Sequence, residues 1–206
     1  AREFRRHLQR LEEMQSRLGI GQLCGGVGSL SSFGPRALEL QESFLKRLGL
    51  RPPDISWIVA RDVLVEWFHW MSRVSGTADK LGHEVYNLQR SEIGEVSEGF
   101  VEGTVGSITM PHKRNPEISE HLGTLARVVR HNTALIAESQ VHDHERDGRA
   151  WKSEFAVFSQ ITMALVKSLE LVKTLAAHLV AHPALAMANL KATRAFALSQ
   201  SVLSAL

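Results

Sequence analysis

The fold is decided by the stretch SWIVARDVLVEWFHWMSRVSGTADKLGHEVYNLQR, residues 56–90. It contains no proline and only two glycines, Gly76 and Gly82, so no strong helix-ending signal interrupts it. At 1.5 Å per residue, a helix over this stretch would span roughly 45–50 Å, which is longer than a compact small domain needs. Helices of this length are typical of elongated bundles.

Helical spacing of apolar residues continues on both sides of this stretch. Other helices are predicted over residues 1–18, 117–140 and 151–181, with a shorter one over 35–48. In the first of them, one stripe is formed by Phe4, Leu8, Leu11, Gln15 and Leu18. No segment shows a sustained strand-like alternation of polar and apolar residues. The sequence therefore predicts an all-α fold, an elongated bundle of about five long helices.

The composition excludes several classes of protein. Of the 206 residues, 44% are hydrophobic and 22% are charged, and the formal net charge is only +2. The single cysteine, Cys24, fits a reducing compartment and a cytoplasmic location. No uncharged apolar run approaches the ~18 residues of a membrane span. We therefore expect neither a secreted, a membrane-spanning nor a disordered protein.

The chemistry is concentrated in GTVGSITMPHKRNP, residues 103–116. It is a glycine-bearing loop that leads into a helix, with Asn115 as the expected N-cap and Pro116 in the first turn. The amides of such a helix end attract anions, and Lys113 adds a positive charge. Ser107 lies upstream, where it could reach over a bound anion. A carboxylate substrate is the ligand that this pattern favours.

This combination suits removal of a proton from the carbon beside a carboxylate. The step places a second negative charge on that carboxylate, so catalysis needs amides and a cation directed at its oxygens, together with a base. A serine can act as the base if a lysine and a helix N-terminus stabilise its alkoxide.

The string at 106–116 resembles the G-S-x-x-M-P-x-K-x-N-P loop of the fumarase/aspartase superfamily. The stretches QLCGGVGSL (22–30) and SEIGEVSE (91–98), and Arg61 with Asp62, extend this resemblance over the whole chain. It implies a central helical-bundle domain at 1–183 and the start of a C-terminal helical domain at 184–206. It also implies a homotetramer with active sites shared between subunits, a small polycarboxylate substrate and no cofactor.

The resemblance assigns roles position by position. Ser107 matches the catalytic base, and Lys113 and Asn115 match residues that hold a substrate carboxylate. Glu120 matches the acid that pairs with a histidine from another subunit. Two further loop positions are expected to contact substrate, Thr109 and Met110. The general-acid histidine belongs to motifs that are not in this sequence, so the 206-residue piece alone is expected to lack a complete site.

A second motif bears on the substrate. The sequence HERD at 144–147 occurs in adenylosuccinate lyases, but here Trp151 follows where a serine pair would be expected. The pattern HER…G…W…E instead resembles 3-carboxy-cis,cis-muconate cycloisomerases. Lactonisation of a carboxymuconate is therefore the favoured reaction, with His144 and Arg146, and also Arg149, as substrate contacts. Adenylosuccinate cleavage and a non-catalytic oligomerisation scaffold are the alternatives.

Other charged groups are interpreted as solvated surface. The spacing of His142, His144 and Glu145 gives little support to a metal site. The arginines at 2, 5, 6 and 10 are balanced by acids and lack interleaved aromatic residues, so they favour a solvated helix face over nucleic-acid binding. Three acids spaced three residues apart are expected to form a solvated ridge, namely Glu92, Glu95 and Glu98.

Overall fold

The computed structural model describes residues 1–99, 114–193 and 196–205, and it confirms the predicted all-α fold. Seven α-helices lie in these residues: α1 (Arg2–Leu18), α2 (Ala37–Arg47), α3 (Asp62–Leu88), α4 (Glu117–Glu138), α5 (Gly148–His178), α6 (Pro183–Ala192) and α7 (Ser199–Leu203). The long helix predicted from residue 56 begins only at Asp62. Residues 57–59 form a turn instead, and the amide of Trp57 is bonded to Gln22 Oε1 at 2.9 Å.

The buried face of α1 differs from the predicted stripe. Leu8 is 60% exposed, whereas His7 and Met14 are buried. The imidazole of His7 is held by a hydrogen bond of 2.8 Å to the Thr77 hydroxyl on α3. The buried face of α1 therefore includes His7, which makes a polar contact with another helix. The predicted stripe is wrong at Leu8 and Gln15, which are both exposed.

The chain packs as two compact units, and α3, α4 and α5 each contribute residues to both. Unit 1 comprises residues 1–77 and 126–166, and unit 2 comprises residues 78–125 and 167–206. The domain boundary predicted at residue 183 stays a prediction.

Buried residues at helical spacing form the core of unit 1. On α5, Val157, Ile161 and Leu165 are each at most 5% exposed and follow one another at four-residue steps. The fully buried ring of Phe68 on α3 meets the ring of Phe158 edge-on, with centroids 5.1 Å apart. Edge-to-face aromatic pairs add roughly 0.5–1.5 kcal/mol beyond the area that they bury.

Unit 2 has a smaller apolar core and one minimal sheet. The core consists of Ala78, Val85, Leu122 and Leu175, with partly buried neighbours around them. Two antiparallel strands of two residues each, β1 (Val96–Ser97) and β2 (Val180–Ala181), pair beside it. Two-residue strands are too short to leave a readable alternation in the sequence, so the pattern analysis could not find them.

Among the described residues, α5 is the one helix long and apolar enough to cross a membrane by length and composition. One stripe of its apolar residues packs into the core of unit 1. The same helix carries the buried Glu154, whose carboxylate pairs with Arg61 at 2.8 and 2.5 Å. A second apolar face of α5 is exposed, as shown by Phe155 at 69% and Met163 at 64%.

Candidate active site

Helix α4 begins two residues after the predicted cap. The first helical residue is Glu117, and the carbonyl of Pro116 accepts the amide of Glu120 at 3.0 Å, which is the first bond of the helix. Pro116 thus occupies the N-cap position. The prediction that Asn115 would be the N-cap is wrong by one position, and two of the first-turn amides are bonded to another segment of the chain.

Glu98 provides those caps. Its Oε2 accepts the amide of Ile118 at 3.0 Å, and its Oε1 accepts the amide of Ser119 at 2.7 Å. The Ser119 hydroxyl donates to the same Oε1 at 2.6 Å, and Ser119 is only 4% exposed. Two amides of the helix end that was expected to attract a substrate anion are therefore occupied by a carboxylate of the chain itself. A substrate carboxylate near this helix cannot bind these two amides while Glu98 accepts them.

Gln89, at the end of α3, holds the two chain segments next to this cap. Its side-chain carbonyl accepts the amide of Glu98 at 2.6 Å, and its amide group donates to the Arg114 carbonyl at 3.3 Å. A single glutamine thus joins the segment before residue 100 to the segment after residue 113. We call Gln89 and Glu98 together the α4 brace.

The prediction of a solvated acidic ridge is wrong for two of its three acids. Glu98 caps a helix, and Glu95 Oε1 accepts the side-chain amide of Asn189 at 3.0 Å. Of the three ridge acids, Glu92 alone is exposed. Nothing in the local sequence marks Glu98 as a cap, since the helix that it caps begins 19 residues later and only the tertiary fold brings the two together.

Only some of the predicted catalytic and substrate-binding residues lie in the part of the chain that the structure describes. Ser107, Thr109, Met110 and Lys113 lie outside the described residues, so their roles stay predictions. Asn115 is half-buried just before α4. Glu120 is exposed in the first turn, and its carboxylate has no ion-pair partner within the described ranges. It is therefore available to a group supplied from elsewhere.

The polar turn at 142–149 is organised by Asp147. This buried carboxylate caps α5 by accepting the Arg149 amide at 2.8 Å, and it also accepts two bonds from the Arg149 guanidinium, at 3.2 and 3.0 Å. These bonds hold the pKa of the Asp147 carboxyl far below its ordinary value of 3.8 and raise the pKa of Arg149. Arg149 also pairs with Asp143. Arg149 therefore has a structural role in this turn, and the expectation that it contacts substrate gains no support.

Arg146 is held differently, against the glycine-rich stretch and an indole. Its Nη1 donates to the Gly26 carbonyl at 3.1 Å, and its guanidinium carbon lies 4.6 Å from the centroid of the Trp151 ring. The Trp151 Nε1 donates in turn to the Ile58 carbonyl at 3.1 Å. The guanidinium remains exposed, with donors to spare. His144 beside it is exposed and has a positive φ of 56°.

The predicted site residues that are described thus fall into two groups, each within its own unit. Arg146 and His144 lie in unit 1, beside Trp151 and Gly26. Asn115 and Glu120 lie in unit 2 with the α4 brace. Among the described residues, no three His, Cys, Asp or Glu side chains are placed to hold a metal ion.

The described residues form a helical bundle in which the N-terminus of α4 is capped by a distant carboxylate, and the family comparison assigns this bundle to a class of lyases. The chain belongs to the fumarase/aspartase superfamily: the profile of a lyase family matches residues 1–130.

Three similar proteins illustrate the range of the family. N-acetyl-S-(2-succino)cysteine lyase of Dickeya dadantii is 44% identical over 82% of this chain and 37% of its own length. Adenylosuccinate lyase of Pyrococcus horikoshii is 44% identical over 70% of this chain and 32% of its own. The crystal structure of 3-carboxy-cis,cis-muconate lactonizing enzyme from Pseudomonas putida superposes with a TM-score of 0.86 at 30% identity, over 96% of this chain and 43% of that one. The chain therefore spans 32–43% of the length of these three proteins.

Proposed function

We propose that this chain is part of a lyase that performs acid–base β-elimination, or the reverse addition, on a small polycarboxylate. The observation that carries the proposal is the loop motif at 106–116, in a chain whose residues 1–130 match the lyase family. Similar proteins bear the names of lyases with different substrates, so reaction type and substrate are argued separately.

In the proposed reaction, Ser107 removes the proton from the carbon beside the substrate carboxylate. Lys113 and Asn115 hold that carboxylate as its second negative charge develops, which is where preorganised donors lower the barrier most. The carbon–hydrogen electrons form the new double bond, and the bond to the leaving atom breaks. A histidine paired with Glu120 supplies the proton that the leaving group takes.

For the substrate, we propose a succinylated thiol or amine without a phosphate, cleaved to release fumarate. The identity to the succinocysteine lyase of Dickeya dadantii, 44% over 82% of this chain, supports the succinyl part. The indole of Trp151, stacked under the Arg146 guanidinium, supports the absence of a phosphate, because it fills the position after HERD with an apolar group. Arg146 keeps donors for a carboxylate.

Lactonisation of a carboxymuconate, which the motifs favour, is the second candidate. The likeness to the Pseudomonas putida lactonizing enzyme supports it, and so does Trp151 in the HER…G…W…E pattern. The two candidates use the same base and carboxylate site, since addition of a carboxylate across a double bond reverses a β-elimination. Adenylosuccinate cleavage ranks lower because of the bulky indole.

We further propose that the protein is a homotetramer whose active sites combine residues of several subunits. The exposed apolar face of α5 supports this assembly, since large exposed patches on a helix bundle mark contact surfaces. Glu120, exposed and without an ionic partner in the described part of the chain, suits a histidine from another subunit. A cytoplasmic location stays a prediction.

The test is to assay the full-length protein against three substrates: N-acetyl-S-(2-succino)cysteine, adenylosuccinate and 3-carboxy-cis,cis-muconate. Fumarate release from the first alone is the expected result, and turnover of the muconate alone would favour the second candidate. Ser107→Ala should lower kcat/KM by about a thousandfold or more. Ser16→Ala, an exposed serine on α1, is the matched control and should leave turnover unchanged. Equal activity of the two variants would overturn the assignment of the base.

A further inference from the structure

A polar pocket lies between α1 and α3 in unit 1, on residues that the proposed function does not use. It has a volume of about 370 Å³ and is lined by Glu3, Arg6, His7, Arg10, Arg73 and Thr77 among others. We call it the α1–α3 pocket. An adjoining pocket of about 330 Å³ shares Arg10 and Arg73 with it, so these two arginines stand between both.

Positive charge is in excess in the α1–α3 pocket. Three guanidinium groups face one carboxylate, that of Glu3. Arg6 and Arg10 stand one turn apart on α1, a spacing at which like charges repel by a few tenths of a kcal/mol.

The adjoining pocket is different, because its extra arginine is neutralised. Arg17 donates two bonds to Glu66, at 2.9 and 2.5 Å. These bonds lower the pKa of the Glu66 carboxyl and raise that of Arg17, as expected for a matched pair. Because Glu13 and Glu66 both line the adjoining pocket, its excess of positive charge is smaller than that of the α1–α3 pocket.

A buried histidine adds polar structure to the pocket. His7 is 7% exposed, and its Nδ1 lies 3.4 Å from an Arg10 nitrogen. Arginine can only donate, so Nδ1 is the acceptor and the proton sits on Nε2, which donates to the Thr77 hydroxyl at 2.8 Å. Thr77 then donates to Glu3 Oε2 at 3.3 Å. This chain of bonds fixes a neutral imidazole at the base of the arginine cluster.

We propose that the α1–α3 pocket binds a small oxyanion with two or more negative charges, such as a phosphate or a polycarboxylate. Guanidinium groups bind such anions through paired, charge-assisted hydrogen bonds. The anion would relieve the repulsion between Arg6 and Arg10, and the volume limits it to a small molecule. Arg73 completes the site from α3.

The site should depend on pH through His7. Burial, and then the charge of Arg10, lower the pKa of the His7 imidazole below its ordinary value of 6.5. The other charged groups that face it are Glu3 and Arg6 on α1 and Arg73 on α3. Protonation adds a positive charge, and a bound anion favours the protonated form. Affinity should therefore rise as the pH falls through this pKa, with uptake of a proton.

The experiment is isothermal titration of the full-length protein with inorganic phosphate and, separately, with citrate, at pH 7 and constant ionic strength. The double variant Arg6→Gln/Arg73→Gln should weaken binding by about tenfold or more, the loss of one or two charge-assisted bonds. The matched control Arg2→Gln/Arg5→Gln removes the same charge from exposed positions of α1 outside the pocket and should change the affinity by less than about threefold.

The stronger of the two ligands identifies the type of anion. Two results would overturn the proposal: no saturable binding of either ligand, or equal weakening in both double variants, which would mean diffuse attraction by net charge. Circular dichroism of both variants controls for folding. Since none of these residues belongs to the proposed active site, the result is independent of whether the lyase assignment holds.

Discussion

Replacing Glu98 by alanine should destabilise the start of α4 by about 2–4 kcal/mol. The substitution removes three hydrogen bonds, of 3.0, 2.7 and 2.6 Å, from Ile118 and Ser119. A buried donor left without a partner costs roughly 1–3 kcal/mol, and losing an N-cap costs roughly 0.5–2 kcal/mol. The stated sum is below the simple total because these losses overlap.

Glu98→Gln separates charge from shape. The side-chain oxygen can still accept from Ser119, but the new amide group points a donor at the Ile118 amide, and the favourable charge at the helix N-terminus is lost. We expect a loss of about 1–2 kcal/mol. Glu92→Ala is the matched control, since this exposed neighbour has no partner in the described residues, and it should stay within about 0.5 kcal/mol of the parent.

The assay is amide hydrogen exchange of the full-length protein, resolved to the first turn of α4, with urea unfolding at one fixed protein concentration. Exchange at Ile118 and Ser119 should accelerate in Glu98→Ala, less in Glu98→Gln, and not at all in Glu92→Ala. If Glu98→Ala and Glu92→Ala gave the same exchange rates and the same free energy of unfolding, the cap assigned to Glu98 would be refuted. Formate added to Glu98→Ala should restore part of the protection, because it can fill the vacated carboxylate position.

Three more predictions concern the bundle. Gly82→Ala should lower the free energy of unfolding by about 1–3 kcal/mol, since a Cβ there would lie 3.0 Å from the Cβ of Leu122 on α4. Gly76→Ala, on the same helix, meets nothing within 4 Å and should raise the free energy of unfolding by about 0.5–1 kcal/mol. Thermal denaturation of the two variants tests this difference. Glu154→Leu should cost about 3–5 kcal/mol by leaving the partly buried Arg61 without its ionic partner, and adding Arg61→Met should recover most of this loss. A double-mutant cycle with no coupling would contradict this. The pKa of the Asp147 carboxyl is lowered in the folded protein, so its contribution to stability is complete above the unfolded value of about 3.8 and is lost as the pH falls below it. Hydrogen exchange in the first turn of α5 should therefore accelerate at acid pH, and Asp147→Asn should abolish this acceleration.

Elements with strong local signals were predicted from the sequence. The helices over 117–140 and 151–181 appear as Glu117–Glu138 and Gly148–His178, because apolar spacing along one segment is enough to define them. The family was also predicted, from a loop motif whose residues stand next to one another in the chain.

The errors arose where distant residues decide the structure. The buried face of α1 depends on Thr77, 70 residues away from His7. The cap of α4 depends on Glu98, which local spacing assigned to a solvated ridge. Neither partner leaves a mark in the segment that it controls, so residue patterns alone could not have found these contacts. For the predicted site, the sequence supplied residue types and their order, while only the fold shows which helix amides are already bonded.

The carboxylate of Glu98 acts as a tethered ligand for the N-terminus of α4. Short tethers give effective concentrations of about millimolar or more, so a free anion must outcompete a bound group that is always present. Sulfate or acetate soaked into crystals should therefore leave this helix end unlabelled, although it looks like an anion site by sequence. An inhibitor aimed at this loop should take its affinity from side-chain donors, and a carboxylate placed to contact the helix dipole would add little.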